Sequence, residues 1–252
     1  MILFFKFRNP KIISFLLLLG MAISLFLFNC ELKKQKNNSV NLIDRIDVSR
    51  GICVVLGDST GELAIDLAYR SELLIYSQLQ NEDNVESVRK TVDDAGFYGT
   101  RIYVEKGELD RVHLSDNLAD ALIAVGETKQ LAKSEALRVL RPQGKAFVGD
   151  EVWEKPFPKG VDDWSHPYHG PDNNTQSNDQ VARAPYLTQF FADPRYAPAI
   201  QVAVASAGRI FKAFGNVAFH EREEPFLFKL AAFNGYNGTM LWKRDLPTGV
   251  MV

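Results

Sequence analysis

Cysteine is scarce: the 252 residues contain two, Cys30 and Cys53. They stand in unlike surroundings and do not make a disulfide framework. Cys53 falls inside an apolar run and reads as a buried thiol. Charge of one sign is not in excess either. The formal net charge is −2 and no basic stripe runs along the chain, which leaves no general attraction to nucleic acid, and none is expected as a partner. Histidine is nearly as rare as cysteine. His113 and His220 are isolated, and His166 and His169 lie close to Asp172 among prolines and glycines. Such a group reads as loop hydrogen-bonding residues, so no metal is expected. What remains is ordinary: 46% apolar and 24% charged residues exclude global disorder, and the length suits one large domain or two modest ones.

One long apolar run is present, at the amino terminus. Lys6, Arg8 and Lys11 precede an uncharged stretch from Ile12 to Phe28, and no acidic residue appears before Glu31. Residues 1–30 therefore read as a signal peptide or membrane anchor, kept apart from the fold. Residues 31–43 follow as a polar tether. Leu27-Phe28-Asn29-Cys30 ahead of that tether resembles a bacterial lipoprotein signal, and the resemblance implies lipid attachment at Cys30. The alternative is an uncleaved signal anchor. In either case the positive charges keep the amino terminus inside. The rest of the chain is then expected in the cell envelope, on the extracytoplasmic (periplasmic) side and held to the membrane.

Residues 44–152 alternate strand-like and helix-like segments. Strands are predicted at Ile52–Leu56, Glu72–Ser77, Arg101–Val104, Ala121–Val125 and Lys145–Val148. Helices are predicted over Gly61–Arg70, Asn81–Ala95 and Leu131–Leu140. Ser59 or Thr60 is placed to cap the first helix, and Asp58 and Glu62 read as exposed acids at its start. The rhythm predicts an α/β, Rossmann-like, parallel doubly wound sheet. Its first loop, Val54-Val55-Leu56-Gly57-Asp58-Ser59-Thr60-Gly61, has the strand–loop–helix form of a cofactor-binding unit.

Arg138-Val139-Leu140-Arg141-Pro142-Gln143-Gly144, with Gly107-Glu108-Leu109 and the stretch Asp116 to Ile123, resembles class I S-adenosylmethionine-dependent methyltransferases. The resemblance implies S-adenosylmethionine as cofactor and a degenerate binding set of Gly57, Ser59, Gly61, Gln78, Glu108 and Asp120. The set is degenerate because Val55 stands where the family has an acid, Ser59 where it has its middle glycine, and Ser77-Gln78-Leu79-Gln80 where it has a ribose-binding carboxylate. Two lost charged hydrogen bonds, at roughly 1.5–3 kcal/mol each, amount to about a hundredfold in affinity or more. No catalytic residue can be named.

Composition changes over residues 153–163, a Pro- and Gly-containing linker. Beyond it the helical period disappears. Strands are predicted at Ala199–Ala205, Gly208–Phe214, Pro225–Phe233 and Thr239–Arg244, and Asn237-Gly238 is a tight-turn signal. Leu230-Ala231-Ala232-Phe233-Asn234-Gly235-Tyr236-Asn237-Gly238-Thr239-Met240-Leu241-Trp242 resembles a pyrroloquinoline-quinone-type (quinoprotein-like) β-propeller repeat. Asp163 to Asn174 resembles the opening of that domain in exported bacterial proteins that join it to a methyltransferase-like domain. Residues 164–252 are thus expected to begin a truncated, all-β propeller domain in an N-terminal fragment of a longer protein. The resemblance implies a binding or scaffolding propeller with a protein or glycan partner, and pyrroloquinoline quinone is not expected in this fragment. Two alternatives stay open: an active methyltransferase, and a quinone-dependent oxidoreductase in the full-length protein.

Overall fold

The computed structural model describes residue 42 and residues 44–126, 131–182 and 192–247. Residues 1–41, with the apolar run and Cys30, lie outside them. The chain divides into one unit ending at Arg45 and a second beginning at Ile46; the architecture below belongs to the second. Among the described residues no helix is long and apolar enough to cross a membrane.

The first sheet has six strands: β1 (Ile52–Leu56), β2 (Leu74–Leu79), β3 (Ile102–Lys106), β4 (Ala119–Ala124), β5 (Leu140–Val148) and β6 (Glu151–Glu154). Their order is β3-β2-β1-β4-β5-β6. The first five run parallel, and β6 folds back antiparallel on β5. Helices α1 (Glu62–Arg70), α2 (Glu82–Asp94) and α3 (Lys133–Val139) connect them. This is a Rossmann-like, doubly wound domain, with the strand order reversing beside β1. Val54, Leu56, Leu122, Val139, Leu140 and Ala146 form one buried cluster, the continuous apolar reading expected of a sheet covered on both faces.

Four local differences from the sequence reading have physical causes. β2 reaches two residues further than predicted because Gln78 and Leu79 still pair with Glu105 and Lys106; a polar residue hid the end of a buried strand. Arg141-Pro142-Gln143-Gly144 lies within β5 and forms a bulge there. Gln143 takes φ 65°, and the pairing register slips between Ala119 and Ala121. Trp153 and Glu154, expected in the linker, close the sheet instead, because Gly149 at φ 57° turns the chain back on β5. Finally, α1 is capped by Asp58, whose Oδ1 accepts from Gly61 N at 3.1 Å and whose Oδ2 accepts from Ala64 N at 3.0 Å. Asp58 is therefore buried, at 6% exposure, and not the exposed acid expected. Thr60 contributes one longer bond, from Glu62 N at 3.3 Å; Ser59 stays exposed.

The second sheet is a four-stranded antiparallel meander of β7 (Ile200–Ser206), β8 (Arg209–Phe214), β9 (Lys229–Asn234) and β10 (Met240–Asp245). A 3-10 helix over Glu221–Phe226 takes the first part of the segment predicted as strand from Pro225. Ala207 and Gly208 carry positive φ in the two-residue β7–β8 turn, and Asp163 fixes that turn by accepting from Ser206 Oγ at 2.8 Å and Ala207 N at 3.0 Å.

The two sheets are joined through Asp120, whose side chain is 0% exposed. Oδ2 accepts from Ile52 N at 2.9 Å and Asn237 Nδ2 at 2.8 Å. Oδ1 accepts from Asn234 Nδ2 at 3.0 Å and Arg141 Nε at 2.5 Å. Gly51 makes room for it: a Cβ there would stand 2.2 Å from Oδ2. Replacement by asparagine turns two accepting positions into an NH2 group and leaves Arg141 without its counter-charge. Asp120→Asn is expected to lose about 3–5 kcal/mol in urea denaturation. A loss under 1 kcal/mol would show that the joint does not depend on this carboxylate.

Candidate functional site

Open α/β sheets bind ligands outside the carboxyl ends of their strands, where the order reverses. At that edge Gly57 N donates to Gln78 O at 3.1 Å, Val125 N to Leu56 O at 2.9 Å and Gly107 N to Leu79 O at 2.9 Å. Gly57 holds φ 79° and has no room for a side chain, since a Cβ would meet the Val125 carbonyl oxygen at 2.6 Å. Gly61, at φ 76°, is needed for a different contact. A Cβ there would press on Val88 Cγ1 at 2.9 Å, so this glycine lets α1 approach α2. Val55, at the position where an acid was looked for, is fully buried.

Gln78 is the central side chain of the edge and is 0% exposed. Its Nε2 donates to Glu108 O at 2.5 Å and Arg111 O at 2.7 Å. Its Oε1 accepts from His113 N at 3.1 Å and, at the longer distance of 3.4 Å, from the Tyr76 hydroxyl. Two donors and two lone pairs are all that a primary amide has, and the 107–113 loop with Tyr76 takes them all. Burial, and secondarily Glu105, pushes the Tyr76 phenol up to about 12, which keeps it protonated. Glu108 is exposed and its carboxylate accepts from Gln80 Nε2.

The loop is also held by apolar contact. Val112 lies in the buried cluster with Val54 and Leu56, and Leu109 and Leu114 pack on it. Leu109 Cδ1 is 3.7 Å from the place a Cβ would take on Gly57, so the loop folds over the glycine turn. Arg138 secures its far end. It donates to Val112 O at 2.9 Å, Leu114 O at 3.0 Å, Asp116 Oδ1 at 2.6 Å and Glu135 at 2.7–2.8 Å. Those Arg138 bonds, foremost among the causes, hold the Glu135 carboxyl below its ordinary range.

The structure thus brings Gly57, Gln78 and Glu108 to one edge, with exposed Ser59 in the adjoining turn and Gly61 turned toward α2. Asp120 is not among them. It sits level with Ile52 at the amino end of β1, four strand residues or about 13 Å below Leu56. Sequence reasoning did not single out Val112, Leu114 or Tyr76; the apolar spacing of Leu109, Val112 and Leu114 after Glu108 was the available signal. Cys53 is buried, and burial with Asp120 nearby pushes its thiol up to about 12, so it is no nucleophile. His169 Nε2 lies 2.7 Å from Asp162 Oδ2 and its Nδ1 lies 3.1 Å from Asn174 O. His166 bonds instead to Ser165, and Asp172 to Asn174 N, so the three do not share one centre.

No protein-family model matches the chain, and no curated protein matches it. Solved structures do. Over 45% of this chain it is similar to a proposed S-adenosyl-L-methionine-dependent methyltransferase from Methanococcus maripaludis, at 26% identity, TM-score 0.42 and 54% of that protein. It is similar to a proposed sarcosine dimethylglycine methyltransferase from Galdieria sulphuraria at 17% identity and TM-score 0.40, over 45% of each chain. A proposed methyltransferase from Bacillus halodurans gives 14% identity and TM-score 0.38, over 44% of this chain and 49% of that one. The chain spans about half the length of these structures.

Gln78→Glu places a carboxylate near the end of β2 and aims it at the carbonyl oxygens of Glu108 and Arg111. Loss of two buried donors is expected to cost about 2–4 kcal/mol in chemical denaturation, with faster amide exchange over residues 107–113. A variant as stable as the parent would show that the loop is not held by this side chain.

Proposed function

We propose that the methyltransferase-type domain is a non-catalytic scaffold. Its crevice is filled by its own 107–114 loop, and it carries a second, β-sheet domain used for binding. The observation that supports this reading is the saturation of Gln78. The side chain at the ribose-binding position spends every hydrogen bond on the loop, and Leu109 folds over the glycine turn beside it. Buried Val55 offers no carboxylate to a cationic cofactor, and Ser59 puts a side chain where the family keeps a glycine. Calorimetric titration of the full chain with S-adenosylmethionine is expected to show no saturable heat at micromolar concentrations. A micromolar Kd would overturn the reading in favour of an active methyltransferase.

The second sheet, in this proposal, is the first blade of a quinoprotein-like propeller, with a protein or glycan as its partner. Its support is the meander itself, four antiparallel strands with an Asn-Gly turn between the last two, together with the repeat-like sequence at Leu230–Trp242. The chain is further proposed to be exported and held at the membrane by residues 1–30, on the charge pattern around the apolar run. In cells fed labelled palmitate the chain is expected to take up label, and Cys30→Ser to abolish it. Equal labelling of both would remove lipidation at Cys30.

A further inference from the structure

A cavity of about 420 Å3 lies at the opposite edge from the crevice, where the second sheet meets the amino ends of the first. Four cationic side chains, Arg50, Arg141, Lys145 and Arg209, line it against two carboxylates, Asp47 and Glu154. They arrive from separate elements: the segment before β1, the β5 bulge, the β5–β6 pair and the β7–β8 hairpin. Several of the charges are already matched. Arg50 pairs with Glu72 at 2.8 Å, Arg141 with Asp120 at 2.5 Å, and Lys145 stands directly across from Glu154. Arg209 is different. It is exposed, and no hydrogen bond or ion pair ties its guanidinium to another described residue.

Its position is nonetheless fixed. Arg209 lies opposite Asn234 in the β8–β9 register, so both side chains leave the sheet on one face. The Asn234 amide reaches Asp120 on that face, so Arg209 stands above the same floor as Arg141. The bonds of Arg141 to Asp120 and to Pro142 O use Nε and Nη1, and Nη2 makes none to a described residue. The neutral donors of the lining include Tyr236 and the exposed Gln143. Burial raises the Tyr236 phenol above its ordinary range, so it keeps its proton. The ring lies so close to the β7–β8 turn that a Cβ on Gly208 would meet its Cε2 at 2.7 Å.

We infer that this cavity between the sheets is a binding site for a small organic anion, with the Arg209 guanidinium fork and the remaining Nη2 of Arg141 as donors to its carboxylate or phosphate group. The volume suits a metabolite-sized ligand. Planar forks bind carboxylate and phosphate through paired hydrogen bonds, which a lysine does not reproduce. The site is built from both sheets and exists only when they are docked. It is independent of the crevice at the carboxyl ends of the strands.

The test uses the full chain in detergent, titrated with inorganic phosphate and separately with citrate, at ionic strength held constant with chloride. Saturable binding and a raised melting temperature are expected with at least one of them. Phosphate alone assigns the phosphate class, citrate alone the carboxylate class. Arg209→Ala is expected to weaken binding about tenfold or more without moving the unliganded melting temperature, because the side chain is exposed. Arg209→Lys is expected to recover only part of the loss. Failure of both anions to bind beyond chloride overturns the proposal, and so does unchanged affinity in Arg209→Ala.

Discussion

A buried carboxylate with four donors holds this molecule together. Asp120 has no contact with water and would be costly to bury charged were any oxygen left unmatched. It accepts a backbone N–H from β1, a guanidinium from the β5 bulge and two amides from the second sheet. The bulge at Gln143 and the glycine at position 51 follow from it. The bulge belongs to the strand that delivers Arg141, and the glycine removes the atom that would occupy the carboxylate's place. Docking the second sheet is what completes the coordination of an acid in the first.

The same fold therefore uses its two edges differently. At the carboxyl edge, where such sheets hold ligands, a loop is anchored by Gln78 and Arg138 through polar contacts and by Leu109, Val112 and Leu114 through apolar ones. The amino edge, which in a lone sheet would be plain support, gains an open cavity because a second sheet is set against it. Polar side chains are spent inside the protein at one edge and offered outward at the other.

The core of the first domain was legible because buried parallel strands read as continuous apolar runs; Ile52–Leu56 was placed to the residue. The carboxyl end of β2 was not, and Gln78 shows why: its amide is buried because loop carbonyls 30 and 33 residues away meet it, which no local pattern reveals. Glycines were located correctly, but their reasons differ. Gly57 yields to a carbonyl oxygen, whereas Gly61 yields to a helix. Asp120 is where the local pattern says least. An acid before an apolar strand reads alike whether it faces a ligand or a second domain, and only the partners, Asn234 and Asn237, separate the two. Asn237 was visible as a turn residue, and its second role, reaching out of the turn to Asp120, was not.

The bonds around Asp120 also impose an order in time. Ile52 and Arg141 lie 68 and 21 residues from it along the chain, but Asn234 and Asn237 lie 114 and 117 residues beyond it. A chain made from its amino end can pair the first six strands long before the last two amides exist. Until the turn after β9 has been synthesised, the floor of the first sheet holds an acid with half its partners missing. The domain that comes first in the sequence is the one that is finished last.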